Sequence, residues 1–262
     1  MFRIAFGISY DGTDYRGWQA QKGLKTIQGE LEAALFSVAN HAVSVVCAGR
    51  TDAGVHASEQ VVHFDTTSCR SVRSWVFGVN SRLSPNISVL WAKEVEQCFH
   101  ARFSARARRY RYVIYNHATR PGILHNAVGW YFKPLDENRM KIAARYFLGE
   151  HDFRSFQSKG CQSKTSVRII SQIKIFRVQR MIVIEVQGNA FLLHMIRNIV
   201  GVLIAVGSGR KEPEWADFVL KSRDYCHGKI TMAVSPNGLY LTDVIYPRKF
   251  KLPQTQLKPF LP

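Results

Sequence analysis

Acidic residues are scarce: 19 Asp and Glu stand against 36 Lys and Arg, leaving a formal charge of +17 and a pI near 10.0. Such a deficit is the electrostatic footprint of a nucleic-acid binder, with anionic membrane surfaces as the competing partner. Long hydrophobic runs are missing as well. No stretch supplies the roughly 20 uninterrupted apolar residues of a spanning helix, and the start, MFRIAFGISYDGT, lacks a signal pattern, so a soluble, cytoplasmic protein with no membrane partner is expected. Cysteines number five, Cys47, Cys69, Cys98, Cys161 and Cys226, with no C-x-x-C pair, which argues against a disulfide framework and against a zinc site. P-loop, G-x-G-x-x-G and G-x-S-x-G motifs are lacking too, removing the common nucleotide-cofactor and serine-hydrolase routes.

What is present is a core. Hydrophobic residues make up 46% of 262, too many for disorder and enough for one large domain or two smaller ones. Arg3 to Tyr10 reads as a strand ending in Asp11-Gly12-Thr13. A helix follows from Thr26, its N-cap, with Ile27, Leu31, Ala34, Leu35 and Val38 at helical spacing. Two short strands, Val43 to Cys47 and Val61 to Asp65, flank a polar turn, and a helix after Ser71 and a strand from Ile87 to Val95 close the first half. The order then repeats: a strand from Arg108 to Asn116, a helix from Asp136 to Leu148, a hairpin of Val167–Val178 and Met181–Gln187, a long helix from Asn189 to Val206, a short one from Glu212 to Arg223, and a strand from Leu239 to Tyr246. Strand-helix-strand-strand-helix-strand is the ferredoxin-like arrangement, so the expected class is α+β, two such halves with sheets joined around a central cleft. The expected boundaries are 1–105, 106–247 and an irregular tail, 248–262.

Three places can carry chemistry. In CAGRTDAGVHASEQVVHFD, Cys47 to Asp65, the carboxylate of Asp52 follows Arg50 by two residues, and Gly49 and Gly54 bracket the turn. Alone, such a pair reads as a weak surface ion pair. FHARFSARARRYRYVIY, Phe99 to Tyr115, interleaves Arg102, Arg106, Arg108, Arg109 and Arg111 with Phe103, Tyr110 and Tyr112, so guanidinium groups for phosphates alternate with faces for stacked bases. Tyr112 reads as a core residue; for Tyr110, core packing and stacking both stand open. In NAFLLHMIRNIVGVLIAVGSG, His194, Arg197, Asn198 and Gly201 form one polar line on an otherwise buried helix. A buried Arg197 requires an anion, from Asp52 or from a ligand phosphate. His56 and His63 would face opposite ways on one strand, which argues against a metal pair.

YDGTDYRGWQAQ, TIQGELEAAL, GRTDAGVHA, FHARFSARARRYRYVIY, FRSFQSKGCQSKT, GNAFLLHMIRNIVG and GLYLTDVIYP, in this order along nearly the whole chain, resemble the TruA family of tRNA pseudouridine synthases. The resemblance implies the pseudouridine synthase fold and a cofactor-free, metal-free homodimeric isomerase acting on uridines at positions 38, 39 and 40 of the tRNA anticodon stem-loop. It also implies roles: Asp52 is the catalytic aspartate, Tyr110 contacts the target base, Arg197 pairs with the aspartate, and Arg50 assists in displacing the nucleotide. Arg108 and Arg109 fall in the same basic block and are read as substrate-binding. Two departures stand out, Glu59 in place of a common glycine and the variation TMAVSPN before the closing strand; Glu59 is expected to alter local charge near the RNA. Burial would raise the pKa of Asp52 above its ordinary ~3.9, while a nearby guanidinium would favour the anion. The competing readings are a non-catalytic RNA-binding module, in which Asp52 is dispensable, and a hydrolase, for which paired carboxylates are not evident around Asp52.

Overall fold

The computed structural model describes residues 1–222 and 233–253. Its contacts divide the chain into two compact units, Met1–Arg108 with the segment from Tyr240, and Arg109–Leu239. The first unit begins with β1 (Phe2–Tyr10), α1 (Ile27–Ala39), β2 (Val46–Cys47), β3 (His56–Thr66), α2 (Val72–Asn80) and β4 (Ile87–Val95). Strand β1 lies antiparallel between β3 and β4, with Phe6 opposite Val62 on one side and Ala92 on the other. Both helices start at side-chain caps: the Thr26 hydroxyl accepts from Gly29 N at 3.3 Å, and the Ser71 hydroxyl from Ser74 N at 3.0 Å. Each cap satisfies an N–H that the helix itself leaves without a partner. Phe6, Phe64 and Trp75 meet edge to face, with centroids 5.0–6.3 Å apart, and so join β1, β3 and α2 through one buried aromatic cluster.

The second unit takes up β5 (Ala107–Asn116) from Arg109 and continues through β6 (Gly129–Tyr131), α3 (Glu137–Ala144), β7 (Gly149–Asp152), β8 (Val167–Val178), β9 (Met181–Gly188), α4 (Met195–Gly207) and α5 (Trp215–Ser222). Its strands run in the order β5, β9, β8, β7, with β6 on β5, and α3, α4 and α5 pack on one another. Helix α4 is buried almost all round, from Met195 to Gly207, which makes it the axis of this unit's core. From Tyr240 the chain groups with the first unit, where β10 (Leu239–Ile245) lies parallel to β3, Tyr240 opposite His56.

The α+β class is the one observed, while several boundaries differ. The strand expected from Val43 shrinks to Val46–Cys47, and β3 begins nine residues before Asp65, at His56, so the polar turn is tighter than the sequence suggests. The long helix starts at Met195, not Asn189, because His194 adopts a left-handed φ of 62°, which a helix cannot continue through. The helix expected to end at Leu148 stops at Ala144 and tightens into a 3₁₀ turn, Arg145–Phe147. Strands β6 and β7 carry no alternation long enough to read. Arg223, Cys226, the Thr231–Met232 part of the TMAVSPN variation and the tail from residue 254 lie outside the described residues.

Candidate active site

The segment between β2 and β3 is built from backbone constraints. Thr51 O accepts from Trp18 N at 3.0 Å, Tyr15 O from Gly54 N at 3.3 Å, and Asp52 O from Val55 N at 3.1 Å. The Thr51 hydroxyl meets the Tyr10 phenol at 2.8 Å, and the Gln60 carboxamide spans Gly49, donating to its carbonyl at 2.6 Å. Gly54 takes φ 76°, the left-handed turn that favours glycine. Two further glycines let the chain after β1 close on this segment. A Cβ on Gly12 would stand 2.0 Å from Val55 O, and one on Gly17, at φ +89°, 2.8 Å from Thr51 O and 3.1 Å from the Asp52 carbonyl carbon. Arg50 is exposed and Asp52 half-buried. The segment therefore holds the half-buried Asp52 on a constrained backbone.

Neighbouring groups are settled elsewhere. His56 and His63 both lie on β3 and both are buried. His56 stacks on Tyr240 at 4.7 Å and meets Asp11 at 3.1 Å, and this hydrogen bond holds the Asp11 carboxyl well below the usual carboxylate range. Burial pushes the Cys47 thiol up to about 12, so it is no thiolate nucleophile at neutral pH. Glu59 is buried and accepts from Trp91 Nε1 at 3.4 Å, placing this departure from the family pattern inside the fold.

Arg108 is 8% exposed, and its guanidinium reaches three carbonyls: Ala48 through Nε and Nη2, Arg102 through Nη2 at 2.6 Å, and Ala105 through Nη1 at 3.3 Å. It ties the start of β5 to the residue two positions before Arg50.

In the second unit, Tyr110 is buried and its ring meets Phe191 edge to face, centroids 5.2 Å apart. Tyr112 is a core residue, as its position on the strand suggests: it is 1% exposed, its hydroxyl donates to Ser235 O at 2.9 Å, and burial pushes its phenol up. Arg109 donates to Gln187 Oε1 at 2.8 Å, and Arg111 to Glu185 Oε2 at 3.1 Å, so the far face of β5 carries paired cations on β9. On α4, Arg197 Nε donates to Val234 O at 2.7 Å, while Asn198 donates to Phe156 O at 2.8 Å. The Arg197 charge also eases the rise of the Tyr112 phenol, which sets the two side chains near each other. His194, expected on the polar line of the helix, instead caps it, its Nδ1 2.8 Å from the Ser158 hydroxyl.

Sequence reasoning missed the supports: Tyr10, Gly12, Gly17 and Gln60 behind Asp52, Val234 behind Arg197, and Phe191 behind Tyr110. The run YDGTDYRGWQAQ, with its paired glycines, was the one available signal for the first group. Among the described residues, no group of three or more His, Cys, Asp or Glu is placed to hold a metal ion.

The family model described as tRNA pseudouridine synthase matches residues 8–104 and 143–247. A tRNA pseudouridine synthase A of Coxiella burnetii (strain Dugway 5J108-111) is 64% identical over 260 residues, 99% of each chain. Proteins of the same name from Nitrosococcus oceani and Alcanivorax borkumensis are 51% identical over 252 residues, 96% of each chain, and 50% identical over 260 residues, 99% of this chain and 97% of the other. A solved H/ACA RNP bound to a substrate RNA containing 2′-deoxyuridine covers 77% of this chain and 44% of that one at 12% identity, with a TM-score of 0.37, too slight a likeness to carry an argument.

Proposed function

The chain belongs to the tRNA pseudouridine synthase family, and on that premise we propose that it converts uridine to pseudouridine at positions 38, 39 and 40 of the tRNA anticodon stem-loop, with Asp52 as the catalytic carboxylate. The observation that supports Asp52 is its clamp: Gly12, Gly17, Tyr10 and Gln60 fix the backbone from Gly49 to Val55, although the residue is only half-buried. A merely structural ion pair needs no such fixing, whereas a catalytic group held to a fraction of an ångström does.

The reaction breaks the N1–C1′ bond, turns the uracil and rejoins it through C5. None of these atoms is reachable inside a stacked stem, so the nucleotide must leave the stack, at a cost of a few kcal/mol. Tyr110, whose ring meets Phe191 edge to face, replaces the lost stacking. Arg50, exposed beside Asp52, assists in displacing the nucleotide; Arg109 adds phosphate affinity from the basic strand; Arg108 contributes by holding the strand and Ala48 together. The family resemblance gives Arg197 the role of partner to the Asp52 anion; within its own unit its Nε donates to Val234 O at 2.7 Å. The carboxylate works as a nucleophile toward the sugar or as a base toward the 2′ proton, and deuterium at C2′ slows only the second route. A homodimer in the cytoplasm belongs to the same proposal; among the described residues no helix is long and apolar enough to cross a membrane.

Incubation with unmodified tRNA transcripts, followed by chemical mapping of pseudouridine, tests activity and position together. Modification at 38, 39 or 40 is expected. Release of free uracil, strand cleavage or modification elsewhere sinks the assignment.

A further inference from the structure

The loop between β4 and β5 holds an aromatic ring that folding does not account for. Phe103 is 76% exposed, although Phe99, four residues earlier, is completely buried against Tyr246 and Phe250. Its exposure is not looseness. The Phe103 ring lies on the His100 imidazole, centroids 4.3 Å apart and planes 29° from parallel. His100 Nδ1 accepts the N–H groups of Arg102 and Phe103 at 3.2 and 3.1 Å, His100 N donates to the Ser104 hydroxyl at 3.0 Å, and Ser104 N closes the turn onto His100 O at 2.9 Å. His100 in turn rests on buried His63, centroids 4.8 Å apart. The phenyl ring is thus backed by a fixed imidazole while most of its surface stays exposed.

The surroundings select what stacks on the exposed ring. The Arg102 guanidinium stands 5.5 Å from the ring centroid, and Arg102 and Arg106 are both exposed. An exposed aromatic ring with one guanidinium beside it and a second exposed arginine three residues on, in a chain of net charge +17, suits a nucleobase stacked on the ring with its phosphate on Arg102. An apolar protein partner would have to desolvate the Arg102 cation without compensation. A paired base inside a helix offers no free face, so the base is unpaired or sits at a stack end.

We propose that Phe103 is a stacking platform for one base of the substrate RNA, distinct from the nucleotide that reacts at Asp52. This rests on the tRNA reading given above and names a contact within it. Phe103 is no part of the core, so its removal leaves the fold intact, and a stacked base is worth enough that Phe103→Ala raises the Kd for a tRNA transcript on the order of 10-fold. Binding is measured by filter retention or anisotropy with Phe103→Ala, Phe103→Leu and Phe103→Trp, alongside melting temperature and turnover at saturating tRNA. The expected pattern is weak binding for Ala and Leu, near-normal binding for Trp, unchanged melting and turnover within 2-fold of the unaltered protein. Equal Kd for Ala and the unaltered protein overturns the platform while leaving the enzymatic reading standing; so does full rescue by Leu, which would mean apolar contact without stacking. Failure of the unaltered protein to bind or modify tRNA overturns both.

Discussion

Arg108 grips the carbonyl of Ala48 with two of its nitrogens, Nη2 at 2.8 Å and Nε at 3.3 Å. In sequence it looks like one more phosphate ligand in a basic run; in the fold, its donors are occupied by carbonyls. Lysine at this position keeps the charge but gathers its donors on one nitrogen in place of a planar fork, so it cannot reproduce the four bonds that Nε, Nη1 and Nη2 make to three carbonyls. Arg108→Lys is expected to destabilise the protein by about 1–3 kcal/mol, read as a lowered denaturant midpoint. It should also lower turnover more than it raises the Kd for tRNA. A large loss of affinity with unchanged stability would instead return Arg108 to the RNA surface.

Gly17 and Gly23 separate strain from displacement. Both have positive φ, +89° and +76°, so alanine is strained at either, at a cost of about 1 kcal/mol. Only at Gly17 does the new Cβ strike the segment of Asp52; at Gly23 nothing lies within 4 Å. Gly17→Ala should therefore reduce turnover about 100-fold, the scale of a 1 Å misplacement, while Gly23→Ala leaves turnover unchanged. Equal activity of the two variants would show that the position of Asp52 is not critical.

Asp52→Asn removes one basic carboxylate and almost no volume. Folding and tRNA affinity should be kept and pseudouridine formation lost, measured on the purified variant with transcript RNA. Normal product formation would remove Asp52 from the mechanism. For Tyr110, Phe is expected to be milder than Ala if the ring face is what the target base uses, and equal losses would point to the hydroxyl.

These cases show where the sequence was legible. The helix cap at Thr26, the helix after Ser71 and the hairpin at β8–β9 are written in local patterns, and each appears as expected. The start of α4 was not, because Asn189 to His194 continue the apolar periodicity and only the positive φ of His194 ends it. At the candidate site the reactive residue types stood out, but their supports are long-range: Ala48 with Arg108 and Val234 with Arg197 are backbone contacts, which leave no mark on side-chain patterns. Likewise Phe99, Phe103 and Tyr112 share one aromatic run, and only burial separates two core rings from an exposed one.

Buried His63 gives the protein an acid sensitivity that can be removed by design. Its Nδ1 accepts from Ala101 N at 3.1 Å, which requires the neutral ring, and burial, aided by His100 and Arg3 and opposed by Asp65, pushes its pKa down to about 4. In the unfolded chain the ordinary value is ~6.5, so between these values the unfolded state binds more protons and stability falls as pH falls. The loss begins near pH 6.5, saturates below about 4, and is at most about 3 kcal/mol, each pKa unit being worth about 1.4 kcal/mol. Asp11 and Asp65, whose pKa values are lowered in the fold, add their own loss at lower pH. His63→Asn supplies a carbonyl near the position of Nδ1 and cannot titrate. Its stability at pH 7 should be lower by the packing lost, but the decline between pH 6.5 and 4, followed by urea denaturation, should be visibly shallower than in the unaltered protein. Parallel curves would mean that His63 is protonated in the fold at no cost, and that the bond to Ala101 is not what selects its neutral form.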